Sequence, residues 1–136
     1  MIVLVDTPIW SLLFRRRDHD LAAAQHHQLQ RLREIVASGS ARLLGAVRQE
    51  LLTGIRSSQQ FARLKQELRS FPNVKLQSVD YETAAAISNA CRVHGIAGGP
   101  VDFLLCSVAL RRNWSIFTAD RDFENYARHI PITLFH

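Results

Sequence analysis

The sequence predicts an α/β fold with a mainly parallel, five-stranded sheet and helices on both faces. Two observations lead to this class. Short apolar runs alternate with longer segments of helical periodicity, and the first run, Ile2 to Val5, contains no polar side chain. An unbroken β-favouring run of this kind is typical of a strand that is buried on both faces of a parallel sheet.

The later elements follow from periodicity and from turn residues. After the first strand, the remaining strands are expected at 41–44, 74–79, 115–118 and 130–135. The helices are expected at 21–37, 47–55, around Phe61 to Leu68, at 80–93 and at 101–110, with a short one before the last strand. This alternation of strands and helices favours right-handed crossover connections.

Length and composition restrict the class of protein. The chain has 136 residues, of which 47% are hydrophobic, and we expect one domain over residues 1–136. Cys91 and Cys106 lack CxxC spacing, so we expect reduced, buried thiols. The apolar runs are too short to span a membrane, and no secretion signal is evident. These features predict a cytoplasmic location without membrane association.

The charge is positive and is carried mainly by arginine. There are 17 basic and 12 acidic residues, and only Lys65 and Lys75 among the basic ones are lysine. The guanidinium group matches phosphate oxygens in geometry. A basic surface alone is equally compatible with a solvated protein that has no polyanionic partner.

Four acidic residues occupy positions where a parallel sheet would bring them together. Asp6 ends the first strand, Asp120 follows the fourth, Asp102 lies in the first turn of an apolar helix, and Glu50 lies one turn into another. Reactive groups of such sheets collect beyond the carboxyl ends of the strands. If the first and fourth strands are neighbours, these carboxylates share one edge of the sheet.

Each of these acids also has a purely structural interpretation. An Asp after a strand can cap a helix or form an Asx turn, and an acid in a first helical turn can interact with the helix dipole. Asp80 illustrates this interpretation best, because it looks like a helix start and no more. Asp122 is intermediate, since its spacing from Asp120 lets it face the same edge.

Convergence of the acids favours a metal site over these structural roles. Two carboxylates about 4 Å apart repel by roughly 4 kcal/mol at an effective dielectric constant near 20, and a divalent cation removes that cost. Because no His or Cys lies at suitable spacing, the predicted ion is Mg²⁺, for which Mn²⁺ can substitute. Such an ion can polarise a phosphate and activate water.

Phosphodiester chemistry would need cations around the acidic pocket. Setting the four pocket acids aside leaves 17 bases against 8 acids on the remainder of the chain. The candidate RNA-binding residues are Arg15, Arg16, Arg17, Arg111, Arg112 and Arg121.

Four segments resemble one known family. They are Val3-Leu4-Val5-Asp6-Thr7-Pro8-Ile9-Trp10, Glu50-Leu51-Leu52-Thr53-Gly54, Asp102 at the start of its apolar helix, and Thr118-Ala119-Asp120-Arg121-Asp122-Phe123. Together they resemble a PIN domain. The length and motif order are similar to VapC, the toxin of bacterial type II (VapBC) toxin-antitoxin systems.

The resemblance implies a PIN-like three-layer sandwich with strand order 3-2-1-4-5 and a Mg²⁺-dependent endoribonuclease activity. Asp6 and Asp102 would be the main metal ligands, and Glu50 and Asp120 would complete the pocket. Thr118 would support it by hydrogen bonding. A homodimer and a cognate VapB-type antitoxin are also implied by the resemblance alone.

The sequence departs from the family at residue 8, and this departure determines which hydroxyl groups could support the acidic pocket. Pro8 stands where the family often has Ser, which leaves Thr7 and Ser11 as the nearby hydroxyl groups. Asp122 completes the set of supporting residues.

Alternative functions remain open to different degrees. A receiver-like switch would need a Lys after the last strand, and a phosphatase with a DxD motif would need a downstream Lys; neither is present. The closer alternative is a catalytically degenerate PIN-fold protein that acts as a protein-interaction module. The presence of all four acids favours the nuclease.

Overall fold

A parallel sheet lies at the centre of the computed structural model, which describes residues 1–14 and 20–136. In that part of the chain the sheet has four strands: β1 (Val3–Val5), β2 (Ala41–Arg42), β3 (Ser115–Phe117) and β4 (Thr133–Leu134). Their order is β2-β1-β3-β4, and every neighbouring pair is parallel. β1 therefore lies beside β3, the neighbour relation that the acidic-pocket hypothesis requires.

Seven helices surround the sheet in the described residues. They are α1 (Thr7–Phe14), α2 (Ala23–Ala37), α3 (Gly45–Leu52), α4 (Ser58–Leu68), α5 (Ser78–Val93), α6 (Pro100–Arg112) and α7 (Asp122–Ala127). Helix α2 packs on β2, whereas α6 packs on β3 and on the long face of α5. All three residues of β1 are fully buried. The predicted α/β sandwich with a parallel sheet is confirmed.

The third of the five predicted strands does not form, so the five-strand prediction is wrong. The pairing with the sheet is limited to an isolated bridge between Leu43 and Asn73, just before this segment, and to a bond of 3.0 Å from Val74 N to Leu43 O. The backbone N–H and C=O groups that follow form hydrogen bonds with side chains. Lys75 O accepts from Arg112 at 3.1 Å, and Gln77 N donates to the Asp80 carboxylate at 2.8 Å. These bonds satisfy the backbone without a strand partner, and α5 begins at Ser78.

Helix α1 is not among the predicted elements. Asp6-Thr7-Pro8 indicates the end of a strand, but Pro is also well tolerated in the first turn of a helix, where no amide donor is needed. Ile9 N and Trp10 N both donate to Asp6 O at 3.2 Å. Asp6 is thus the last residue of the strand ladder and the start of α1 at once.

Cys91 and Cys106 are free and buried, as predicted. No helix within residues 1–14 and 20–136 combines the length and the apolar character that a membrane span requires.

Candidate active site

The Asp6 carboxylate is held in a fixed position at the carboxyl end of β1. Only 4% of the residue is exposed. Its Oδ1 accepts a bond from Thr7 N at 2.7 Å, and its Oδ2 accepts one from Thr118 Oγ1 at 2.8 Å. Asp6 N donates to Phe117 O at 2.9 Å, which fastens the residue to the neighbouring strand.

Thr118 connects two of the predicted acidic residues. While its hydroxyl donates to Asp6, the same oxygen accepts from Asp120 N at 3.0 Å. Asp120 Oδ1 in turn accepts from Asp122 N at 2.9 Å and so shapes the start of α7. The two strand ends, β1 and β3, are therefore linked by one hydroxyl group.

Glu50 reaches the same place from α3. Its Oε1 accepts a bond of 2.6 Å from Thr7 Oγ1, so Thr7 bonds Asp6 through its amide and Glu50 through its hydroxyl. Glu50 is an exposed residue, and this bond fixes one of its two carboxylate oxygens.

Asp102 enters from the N-terminal turn of α6. Gly99 is the N-cap of that helix and Pro100 follows it, while Asp102 Oδ2 accepts from Gly99 N at 3.1 Å. The bond is the helix-start contact expected for an acid at this position. Asp102 also lines the acidic cavity described next, so its structural role and its proposed role are compatible.

The four predicted acids line one open cavity of about 630 Å³, which we term the acidic cavity. Of the predicted supporting residues, Thr7 and Ser11 line it as well. Its complete lining is Asp6, Thr7, Pro8, Ser11, Ala46, Gln49, Glu50, Thr53, Val101, Asp102 and Asp120.

Burial and mutual repulsion make this cavity costly for negative charge. Burial, as the largest cause, raises the pKa of Asp6 to about 6; the bonds from Thr118 and Thr7 oppose the rise, and the charges of Asp102 and Glu50 add to it. The pKa of Asp102 is also raised, mainly by burial and further by Asp120, Glu50 and Asp122, against the bond from Gly99. A cation in the cavity would relieve both effects.

The donor set fits Mg²⁺ in a particular way. In the described part of the chain, no three His, Cys, Asp or Glu side chains form a ready-made cage for a metal ion. Mg²⁺ rarely uses such cages, because it keeps several water ligands and binds through one or two carboxylates. Asp6, which is buried, and Asp102, which is half-buried like Asp120, suit that mode.

Arg111 and Arg112 do not line the acidic cavity, and their role as RNA contacts stays a prediction. Both guanidinium groups pair with the fully buried carboxylate of Asp80, Arg112 at 2.8 Å. They lie in the last turn of α6, about 15 Å along the helix from Asp102 at 1.5 Å per residue. Asp80 is therefore more than the simple helix start that the sequence suggested.

The other predicted RNA-binding and supporting residues have different outcomes. Arg15, Arg16 and Arg17 lie outside the described residues. Arg121 is exposed and follows Asp120 directly. Asp122 is exposed and does not line the acidic cavity, although its charge acts on Asp102.

Several lining residues were not predicted, although a signal for them exists. Ala46, Gln49, Glu50 and Thr53 stand at positions i, i+3, i+4 and i+7, which form one face of a helix and its C-terminal cap. Once Glu50 is chosen, helical spacing alone selects the other three. Val101 was missed because a residue beside an acid carries no such pattern.

Replacing Thr118 by Val tests the link between the strand ends. The change leaves the Asp6 carboxylate and Asp120 N without this partner, which costs about 1–2 kcal/mol of unfolding free energy for two partly buried groups. Because the Thr118 bond lowers the pKa of Asp6, its loss raises that pKa further, and the destabilisation is larger at pH 7.5 than at pH 4.5.

Urea unfolding in EDTA at both pH values measures this effect. Thr118→Ser keeps the hydroxyl and is the matched control, for which little change is expected. Destabilisation by Ser but not by Val would show that the methyl packing matters and the hydroxyl does not.

Comparison with solved structures finds the same fold. The chain superposes on the FitAcB structure from Neisseria gonorrhoeae with a TM-score of 0.77 at 15% identity, covering 99% of this chain and 97% of the other. The structure of VapBC2 from Rickettsia felis, bound to a DNA fragment from their promoter, superposes with a TM-score of 0.71 at 16% identity, covering 99% of this chain and 98% of the other. A toxin-antitoxin complex from Klebsiella pneumoniae superposes with a TM-score of 0.65 at 18% identity, covering 89% of each chain.

Sequence comparison assigns the family. No curated protein sequence matches the chain. The sequence profile of the PIN domain matches residues 3–129, a range that contains every acidic residue of the cavity. The chain therefore belongs to the PIN domain family.

Proposed function

We propose that this protein is a Mg²⁺-dependent endoribonuclease and the toxin of a type II toxin-antitoxin system. The observation that carries the proposal is the acidic cavity, in which a buried carboxylate, Asp6, is held by two hydrogen bonds beside three further acids. A protein gains no stability from such crowding. The membership in the PIN domain family supports the same activity.

Asp6 and Asp102 would hold the ion, with Glu50 and Asp120 binding its water ligands. When bound, Mg²⁺ supplies electrophilic assistance at the phosphate and lowers the pKa of a coordinated water. The roles of the chain's own groups follow from their bonds. Thr118 and Thr7 orient the Asp6 carboxylate, and the Thr7 hydroxyl fixes Glu50 Oε1. Glu50 Oε2 is left to accept a proton from the attacking water.

The proposed partners are RNA and a VapB-type antitoxin. The positive charge of the chain outside the cavity supports a polyanionic substrate. Fold similarity to structures described as VapBC2 and as a toxin-antitoxin complex supports the antitoxin, and a homodimer is part of the same proposal. A short DNA-binding protein encoded next to this gene would be the antitoxin to test, by co-purification and by its inhibition of cleavage.

Asp102→Asn tests the activity. We expect Mg²⁺-dependent cleavage of single-stranded RNA by the unmodified protein and its loss with EDTA. The variant should be slower by about a thousandfold, since metal-ion stabilisation of the transition state is worth several kcal/mol. A second readout is thermal stability, because Mg²⁺ at 100 times its Kd adds about 2.7 kcal/mol to the unfolding free energy, and only the unmodified protein should show this gain.

Glu82→Gln is the matched control, because Glu82 is an exposed acid of α5 outside the acidic cavity. It should leave cleavage and the Mg²⁺ effect unchanged. A protein that neither cleaves RNA nor gains stability from Mg²⁺ would refute the proposal and favour the alternative, a PIN-fold interaction module.

A further inference from the structure

A second, smaller cavity adjoins the acidic cavity at Asp120. Its volume is about 210 Å³, and Asp120 lines both cavities. Thr118, which bonds Asp6, is also part of its wall. We term it the flanking cavity. Any chain-like substrate that leaves the acidic cavity past Asp120 meets this space next.

The lining of the flanking cavity combines an apolar floor with a polar rim. The accessible floor comes from the end of the sheet, with the half-buried Leu134 of β4 and the edge of Phe135 after it, whereas Ile116 of β3 is fully buried. The rim carries Gln28 of α2, Arg121 just before α7, and Glu124 of α7. The rim therefore offers donors and acceptors around an apolar surface.

This combination selects the chemical class of the ligand. A free phosphate or other small anion would not need an apolar floor and would be repelled by Glu124. A nucleobase has apolar faces and polar edges, and proteins read it in single-stranded RNA by stacking and by bonds to those edges. The volume also fits part of a ligand, because sites for complete drug-sized molecules measure roughly 300–1,000 Å³.

The wall at Phe135 is held in place by other parts of the fold. The guanidinium carbon of Arg31 lies 4.7 Å from the centre of the Phe135 ring, and Arg31 donates to His136 O at 3.1 Å. Phe135 N donates to Ile116 O at 2.8 Å, and the Phe117 and Phe135 rings are 5.0 Å apart. A prearranged wall lowers the cost of ordering on binding.

We infer that the flanking cavity is a subsite for the base of the nucleotide next to the scissile phosphate. Gln28 and Glu124 read the edge of that base, and Arg121 binds the phosphate that joins it to the acidic cavity. The inference rests on the proposed ribonuclease function and adds to it a source of sequence preference. Arg121 suits its role because it follows Asp120 directly and is exposed.

Cleavage-site mapping on a short single-stranded RNA of random sequence tests the subsite. For the unmodified protein we expect a base preference at one position flanking the cleaved bond. In Gln28→Ala and in Glu124→Gln that preference should fall by between about five- and a hundredfold, the range for one well-placed contact to a base edge. The positions on the other side of the cleaved bond should not change.

Arg121→Gln should act differently from the base-reading variants. It should weaken binding for all sequences alike and reduce the slope of log affinity against log salt by about 0.7, the value for one phosphate contact in a single strand. Arg128→Gln is the matched control, since Arg128 is an exposed arginine at the end of α7 that lines neither cavity.

Binding of the same RNAs to these variants in the Asp102→Asn background measures the subsite without turnover. Urea unfolding of each variant shows whether it is folded. If the cleavage pattern and the salt slope stay unchanged in all three variants while Asp102→Asn is inactive, the subsite is refuted and the nuclease stands. If the variants lose only inhibition by the antitoxin, the cavity binds that protein instead. If the unmodified protein neither binds nor cleaves RNA, both proposals fail.

Discussion

Asp6→Asn is expected to remove RNA cleavage and at the same time to stabilise the metal-free protein. The loss of activity should reach about a thousandfold or more, because Asp6 is the most buried carboxylate of the acidic cavity and would bind the ion directly. Most substitutions of a buried polar residue destabilise. Asp6→Asn is expected to stabilise instead, because it removes the free-energy cost of a negative charge in the buried carboxylate.

The magnitude and the pH dependence follow from the raised pKa. Burial and the neighbouring carboxylates raise the pKa of Asp6 from 3.8 to about 6. In the metal-free protein this corresponds to a cost of about 3 kcal/mol when the group is ionised. The cost is absent below pH 4, grows as the pH rises toward 6, and is complete above about 7.

The variant removes this cost but keeps only part of the hydrogen bonding. An Asn side chain has one acceptor oxygen in place of two, so one of the bonds from Thr7 and Thr118 is altered at a cost of about 1 kcal/mol. The net gain at pH 7.5 should be about 1–2 kcal/mol.

Urea unfolding in EDTA at pH 4 and pH 7.5 checks the prediction. The gain should be present at the higher pH and absent at the lower one. Added Mg²⁺ should stabilise only the unmodified protein and so reduce or reverse the difference. A loss of stability in the variant at pH 7.5 would mean that Asp6 is a structural cap, and the metal-site hypothesis would lose its main support.

Local sequence patterns were enough to locate the acidic cavity. The unbroken apolar run before Asp6 and the strand before Asp120 each predicted a position at a strand end, and the parallel pairing of β1 with β3 brings both ends to one edge. Asp102 and Glu50 followed from helical position. Only the pairing of these two strands, a contact between distant segments, had to be taken from the family resemblance.

The features that local patterns could not predict depend on contacts of long sequence separation. Nothing near Arg111 or Arg112 indicates that their partner is Asp80, some 31 residues earlier, because that pairing arises only when α5 packs on α6. The missing third strand has the same origin. Residues 74–79 have the alternation of a strand, but side chains from α5 and α6 take the backbone groups that the strand would need.

Asp80→Asn is expected to have the largest effect on stability. The carboxylate is fully buried and accepts bonds from Arg111, from Arg112 at 2.8 and 3.1 Å, and from Gln77 N at 2.8 Å. Removal of one partner from a buried ion pair typically costs 3–5 kcal/mol. Because the two arginine side chains are 30% and 20% exposed and can recover some hydration, we expect a loss of about 2–4 kcal/mol.

The pH dependence of this loss is opposite in sign to that of Asp6. The bond from Arg112, the largest cause, holds the pKa of Asp80 far below its usual value, and the bonds from Gln77 and Arg111 add to this against the effect of burial. The stabilisation is therefore complete above about pH 5, begins to decrease below about pH 4, and is lost only as the pH falls through the lowered pKa of the folded protein. Urea unfolding at pH 7 and pH 3 should show a smaller difference at the lower pH, but a large part of the difference should remain there.

Arg112→Gln tests the partner side of the cluster, and with it whether Arg112 also makes the predicted RNA contact. It should destabilise by a similar amount, and the double variant with Asp80→Asn should lose less than the sum of the two single changes, because both remove the same interaction. Glu82→Gln, an exposed acid on the same helix as Asp80, should change stability by less than about 0.5 kcal/mol.

Activity separates this cluster from the acidic cavity, although α6 carries residues of both. Asp80→Asn should retain cleavage and its salt dependence at temperatures where it is folded, because Asp80 lines neither the acidic nor the flanking cavity. Asp6→Asn should be folded and inactive. Were Arg112→Gln to weaken RNA binding and to lower the salt slope while its stability stayed unchanged, the pairing with Asp80 would be incidental and this end of α6 would bind RNA after all.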